Sequence, residues 1–176
     1  IISPEALTGS NIVTAAGEAT EKAIHDTPVG GLVYMEQNLS TPSQVTEMLI
    51  NVQTYSEDAI NLPLFTCIDE EGGTVARLNK NGNFNLPPIG NMSDVGASGN
   101  ADEAYQIGLE MGSYLSELGF NVDFAPVADV LSNPDNEVVK YRSFGEDPML
   151  VADMSAAVLQ GLREKDVLGT FKHFPG

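Results

Sequence analysis

The sequence predicts an α/β fold of repeated strand–helix units, the N-terminal part of a (β/α)8 TIM-type barrel. Short apolar runs bounded by Gly and Pro alternate with longer stretches of helical periodicity. Repeated βα units with right-handed crossovers build a parallel sheet, open or closed. The marks of nucleotide-binding open sheets are missing, since no Gly-x-Gly-x-x-Gly follows a strand and no Gly-Lys-Ser occurs. A closed eight-stranded barrel takes about 250 residues, so this chain is expected to hold about five βα units. Residues 1–176 read as one partial barrel domain, truncated at both ends.

Each element has its own signal. Ile1-Ile2-Ser3-Pro4 lacks an initiator Met and reads as the tail of a strand. A helix is expected near Ala15 to His25, with His25 on its surface. Gly31–Met35 follows a Pro-Val-Gly break and reads as a buried strand. Thr41-Pro42-Ser43-Gln44 is a capping-box start with Pro at the first helical position. Behind it Val45, Met48, Leu49, Val52 and Tyr55 recur at helical spacing. Leu64–Ile68 is the second strand and runs into the cluster Asp69–Gly73.

Leu78 to Gly99, rich in Asn, Gly and Pro, reads as a long irregular loop, and loops of that length are usually functional or disordered. Asn100 and Glu103 cap a helix with Ala104, Ile107, Met111, Leu115 and Leu118 on its apolar face. Gly119 is its stop, and Gly108 and Gly112 predict close packing on a sheet. Asn121–Val127 is the third clear strand. Asp147-Pro148 opens a helix whose buried stripe is Leu150, Val151, Met154, Val158 and Leu162. Gly169–Phe174 is the last strand, with no helix after it. Open edges and uncovered apolar faces predict that these 176 residues in isolation aggregate or fold poorly.

Composition narrows the partners. With 25 acidic against 8 basic residues the net charge is −17, a field that repels nucleic-acid phosphates and anionic lipid. The same acidity is accounted for by a solvated surface. Hydrophobic residues make up 42%, and no apolar run reaches the roughly 18 residues of a membrane-spanning helix. The one cysteine, Cys67, excludes an internal disulfide framework and sits in an apolar run, which predicts a buried, inert thiol. The compartment stays open, leaning to secreted or cell-envelope over cytoplasmic, and so does the oligomeric state.

In a barrel of this type the active site lies at the C-terminal ends of the strands. Three polar clusters fall there. In Asp69-Glu70-Glu71-Gly72-Gly73, with Arg77 beyond it, a carboxylate can accept hydrogen bonds from adjacent sugar hydroxyls while the glycines allow close backbone approach. A tight charged surface turn explains the same residues equally well. No metal is expected, because neighbouring residues on a strand end point in different directions. Lys140–Pro148 holds Arg142, a rigid fork of donors, with Asp129 as an acceptor that could orient it, and Asp147-Pro148 is explained as a helix start. Lys172-His173 ends an apolar strand, where such residues are hard to place without a polar purpose. Alternation predicts one pointing inward and the other sideways; the alternative is an exposed strand end with ordinary solvated charges.

Together these clusters resemble glycoside hydrolase family 3, in its bacterial β-N-acetylglucosaminidase (β-N-acetylhexosaminidase) branch. Asp69-Glu-Glu-Gly-Gly-Thr-Val-Ala-Arg77 is similar to that branch's Asp-x-Glu-Gly-Gly-x-Val-x-Arg segment, and Phe124-Ala-Pro-Val-Ala-Asp129 to its Phe-Ala-Pro-Val-x-Asp strand. Arg142-Ser-Phe-Gly145 and Lys172-His-Phe-Pro-Gly176 match two further motifs in the family's order. The last favours the N-acetylglucosaminidase branch over β-glucosidases. Thr74 departs from the Arg often found there, which puts in question that side chain's contact and leaves the motif intact.

The resemblance implies that Asp69, Arg77, Arg142, Lys172 and His173 ring the terminal sugar, with Asp129 and Glu71 behind them, and that the Phe174–Pro175 bond is cis. It implies retaining hydrolysis of β-linked N-acetylglucosamine from oligosaccharides or cell-wall fragments, through a covalent glycosyl-enzyme and without cofactor. The Asp nucleophile and the His acid/base are expected after Gly176, so none of the carboxylates within 1–176 is assigned either role. The alternatives are a β-glucosidase or glycoside phosphorylase of the same family, a non-catalytic sugar-binding relative, and an acidic interaction module with no pocket.

Overall fold

The computed structural model describes residues 1–175. Its elements in chain order are α1 (Pro4–Thr8), α2 (Glu18–Asp26), β1 (Gly31–Tyr34) and α3 (Pro42–Ile60), the last after a 3-10 turn at Glu36–Asn38. Then come β2 (Phe65–Ile68), β3 (Glu70–Gly72), β4 (Val75–Ala76), α4 (Met92–Ser98), α5 (Ala101–Leu118), β5 (Val122–Asp123), α6 (Pro148–Arg163) and β6 (Leu168–Gly169). Strands β1, β2, β5 and β6 form one parallel sheet in that order. Ile2 joins outside β1 through a parallel bridge to Leu32. Chain order and sheet order agree throughout, as in a barrel that winds in one direction. A doubly wound sheet would reverse at a switch point.

The two faces of the sheet differ. Leu32, Tyr34, Leu64 and Ile68 share one buried cluster with Val45, Met48, Leu49 and Val52 of α3 and Met111 and Leu115 of α5. Alternation places Gly31, Val33, Phe65 and Cys67 on the other face, where Phe65 is exposed and Cys67 fully buried. Burial pushes the Cys67 thiol up to about 11, which fits the inert thiol expected there.

Local chemistry explains the helix boundaries. Thr41 Oγ1 accepts from the Gln44 N–H at 3.3 Å, while Gln44 Oε1 turns to the Ser40 N–H at 2.9 Å, one residue earlier than a strict capping box. Asn61 closes α3 in the left-handed region with φ 55°. Asn100 caps α5 through the Asp102 N–H, but Glu103 accepts from the Ser98 hydroxyl. Asp147 Oδ1 accepts from the Met149 N–H at the start of α6.

Three expectations need correction. Gly108 and Gly112 do not meet a sheet. They face α6, where a Cβ on Gly108 would lie 2.2 Å from the Val158 carbonyl oxygen and one on Gly161 would lie 2.4 Å from that of Tyr105. Backbone-to-backbone approach of two helices is the reason for glycine there. The stretch from Leu78 to Gly99 is not wholly irregular, because Met92 and Val95 are buried on α4. Its N-cap, Asn91, makes no side-chain capping bond, so little in the local sequence announces it. The strands expected at 121–127 and 169–174 shrink to β5, β6 and one bridge between Val127 and Lys172.

Candidate functional site

Asp69 follows β2, Asp129 lies past β5, and Lys172 and His173 lie past β6, so the parallel sheet delivers all four to one end. Gly72 and Gly73 turn the chain back at φ 82° and 53° to form the β3–β4 hairpin. A Cβ at Gly72 would meet the Ile89 side chain at 2.6 Å. The Asp69–Gly73 cluster is thus a packed hairpin and not a free surface turn. Arg142 comes from the segment before α6, which packs on α4 so closely that a Cβ on Gly96 would lie 1.7 Å from the Phe144 carbonyl oxygen.

The charged heads form one alternating array. Lys172 Nζ lies 2.7 Å from Asp69 Oδ1 and 2.5 Å from Glu71 Oε1. Arg142 grips the same Glu71 with two parallel bonds, Nε to Oε2 at 2.7 Å and Nη2 to Oε1 at 2.8 Å. Such bidentate charge-assisted pairs fix direction as well as distance. Glu71 holds the Arg142 guanidinium above its usual value, so it stays charged. Arg142 Nη2 also lies 3.3 Å from His173 Nε2. A guanidinium only donates, so Nε2 accepts and Nδ1 carries the proton toward Asp129 Oδ2, 2.6 Å away. Asp129 Oδ1 takes the His173 backbone N–H at 2.8 Å.

Lys172, Arg142 and Asp69 are largely buried yet not sealed, with side-chain exposures of 14%, 13% and 20%, while His173 is about half exposed at 48%. A cleft of about 530 Å³ opens beside Arg142 and His173, walled in part by Asn136, Val138 and Phe174. Of the array, Asp129, Arg142 and His173 line this cleft, and donors and acceptors held by one another can bind neighbouring hydroxyls with little reorganisation. Each site carboxylate is engaged, Asp69 and Glu71 by cations and Asp129 by His173. Among the described residues no group of three or more His, Cys, Asp or Glu is arranged to hold a metal ion.

Beneath the array lies a second acidic layer. Glu70 is fully buried and accepts from the backbone N–H groups of Arg77 (2.6 Å), Leu78 (2.9 Å) and Asn79 (2.9 Å) and from the Tyr114 hydroxyl (2.9 Å). Asp123, also fully buried, takes the Glu70 N–H on Oδ1 at 3.0 Å, and its Oδ2 has no partner among the described residues. Burial raises both carboxyls, Asp123 far more. Four donors on Glu70 against one on Asp123 stabilise charge on Glu70 and leave Asp123 the more readily protonated of the two.

Of the residues singled out in the sequence, Asp69, Glu71, Asp129, Arg142, Lys172 and His173 come together. Glu71, not Asp129, takes the Arg142 fork. Lys172 and His173 do not diverge as a strand would require, since regular pairing ends at Gly169 and only the single Val127–Lys172 bridge follows. The Phe174–Pro175 bond is cis, as are Ala125–Pro126 and Lys172–His173; Gly176 lies outside the described residues. Among the described residues the Arg77 side chain makes no hydrogen bond to the array: its backbone serves Glu70, and its Nε is buried without a partner. Glu70, Tyr114 and Asp123 were missed. A carboxylate inside the apolar run Val122–Val127 was the signal that could have found Asp123, and hairpin parity was the signal for Glu70.

Residues 6–176 match the model of the glycosyl hydrolase family 3 N-terminal domain. Beta-hexosaminidase A of Pseudoalteromonas piscicida is 35% identical over 151 residues, covering 84% of this chain and 25% of that protein. A beta-hexosaminidase of Stenotrophomonas maltophilia (strain K279a) is 33% identical over 158 residues, covering 86% and 44%. The structure of a glycoside hydrolase family 3 beta-N-acetylglucosaminidase from Paenibacillus sp. str. FPU-7 superposes with a TM-score of 0.85 at 37% identity, covering 94% of this chain and 31% of that one. The chain thus spans less than half the length of each of these relatives.

Proposed function

The chain belongs to glycosyl hydrolase family 3, and on that premise we propose that it supplies the terminal-sugar half-site of a retaining β-N-acetylglucosaminidase. Residues 1–176 would form part of one catalytic (β/α)8 barrel. The observation that carries this reading is the array Asp69–Lys172–Glu71–Arg142, extended by His173 and Asp129, at the C-terminal end of a parallel sheet.

Each side chain has a proposed task. Asp69, with Oδ1 held by Lys172, turns its other oxygen to a sugar hydroxyl. Lys172 and Arg142 donate to sugar oxygens through N–H groups that Asp69 and Glu71 leave free. His173, fixed by Asp129 as the Nδ1–H tautomer, offers Nε2 to a hydroxyl when the substrate competes with Arg142. Glu71 and Asp129 orient their partners. Arg77 is proposed as a further contact to the same sugar.

Retaining hydrolysis needs a carboxylate nucleophile and an acid/base. By the family resemblance, the nucleophile and a His acid/base are proposed to follow Gly176, and Asp69, Glu71 and Asp129 are assigned binding or support. The Paenibacillus relative, a beta-N-acetylglucosaminidase, favours an N-acetyl sugar, and an oligosaccharide or cell-wall fragment is the proposed source of it.

The test is turnover by the full-length protein of p-nitrophenyl N-acetyl-β-glucosaminide beside the matching glucoside, each with and without phosphate. Preference for the N-acetyl substrate without need of phosphate is expected. Preference for the glucoside reassigns the enzyme, and a phosphate requirement makes it a phosphorylase. Binding without turnover leaves a sugar-binding relative.

A further inference from the structure

We infer that Glu70 is a positioning residue for the sugar-binding array, acting through the two carboxylates that flank it. Successive residues of an extended hairpin strand face opposite sides. Asp69 and Glu71 reach Lys172 and Arg142 on one side, while Glu70 reaches Arg77, Leu78, Asn79 and Tyr114 on the other. The direction of Asp69 and Glu71 therefore depends on how firmly Glu70 is held.

It is held from three elements. The chain leaving β4 contributes three N–H groups, α5 contributes the Tyr114 hydroxyl, and β5 takes the Glu70 N–H on Asp123 Oδ1. Four donors around a buried carboxylate, with no cation paired to it among the described residues, make a concave site for negative charge built mainly of backbone. A carboxylate accepts all four donors at once. A Gln amide placed at the Oε2 position would face the N–H groups of Arg77 and Leu78, and at the Oε1 position it would face that of Asn79. Donor would meet donor in either orientation, so the hairpin must shift, and Asp69 and Glu71 must shift with it.

The experiment uses the full-length protein carrying Glu70→Gln or Tyr114→Phe, with Leu49→Ala in α3 as a control that destabilises the core away from the site. In Glu70→Gln, crystal structures should show the Asp69–Lys172 and Glu71–Arg142 pairs lengthened or broken. KM for the N-acetylglucosaminide should rise on the order of tenfold, and more than kcat changes, since a hydrogen bond to a buried charge is a strong one. Tyr114→Phe removes one donor of four and should raise KM by roughly threefold. Leu49→Ala should lower the melting temperature and leave KM alone.

A folded Glu70→Gln protein with both ion pairs intact and KM unchanged overturns the inference. If Glu70→Gln does not fold, Tyr114→Phe decides on the same two readouts, and intact pairs with wild-type KM overturn it. The turnover readout rests on the N-acetylglucosaminidase reading, whereas the ion-pair geometry does not. A wild-type protein that hydrolyses no N-acetylglucosaminide would therefore sink the functional reading and leave the positioning role to the crystal structures.

Discussion

Replacing Asp123 by Asn tests the assignment of a proton to the buried acid layer. The side chain is fully buried, its Oδ1 accepts one N–H, its Oδ2 has no partner among the described residues, and burial raises its pKa well above 3.8. Below pH 3.8 both folded and unfolded chains carry the proton and the residue costs nothing. As pH rises past 3.8 the unfolded chain releases its proton while the folded chain keeps it, so stability falls until the pH reaches the folded value. The linkage slope for one proton is about 1.4 kcal/mol per pH unit. Above pH 3.8 the wild type should thus lose stability through this residue at up to that slope, until the pH reaches the folded value.

Asn keeps the acceptor for the Glu70 N–H and cannot ionise, so its contribution has no slope. The assay is urea unfolding of the full-length wild type and Asp123→Asn proteins at pH 5, 6, 7 and 8. The gap between them should shift in favour of Asn by about 1.4 kcal/mol for each unit up to the folded pKa. Parallel stability curves across this range would refute the assignment.

Other expectations follow from single contacts. Gly96→Ala sets a Cβ 1.7 Å from the Phe144 carbonyl oxygen, so it should cost about 1–3 kcal/mol by thermal unfolding and raise KM by moving Arg142. Glu71→Ala removes the carboxylate shared by Arg142 and Lys172, both mostly buried; breaking such a pair costs about 3–5 kcal/mol, read as a lower urea midpoint. Gly161→Ala pushes a Cβ to 2.4 Å from the Tyr105 carbonyl oxygen. It should part α5 from α6 at a similar cost of about 1–3 kcal/mol, with sugar binding unchanged in the folded fraction. Cys67, fully buried with its thiol pushed up to about 11, should resist a thiol-reactive dye at pH 8 until urea unfolds the chain.

Periodicity made the layered frame legible. Val45, Met48, Leu49 and Val52 are buried on α3 as their spacing predicts, and so are Val151, Met154, Val158 and Leu162 on α6. The charged residues at strand ends were legible too, because a Lys-His pair or a Glu-Glu pair closing an apolar run is costly to bury without polar partners. What the sequence hid is which partner each charge chooses. Asp129 faces His173 and Glu71 faces Arg142 because of a hairpin and a strand end whose geometry no local pattern encodes. Helix α4 was hidden because seven residues with a glycine inside carry too little periodicity. The glycines of α5 were legible as close contacts, but whether the neighbour was a sheet or α6 depended on tertiary packing.

Direct titration of N-acetylglucosamine into the full-length protein, and into its Asp69→Ala and Arg142→Ala variants, tests the half-site most directly. Saturable binding by the wild type is expected. Either substitution should weaken it at least about tenfold, the loss of one charge-assisted hydrogen bond, while each variant keeps its circular dichroism. Equal affinity in all three proteins would contradict the account and place the sugar elsewhere.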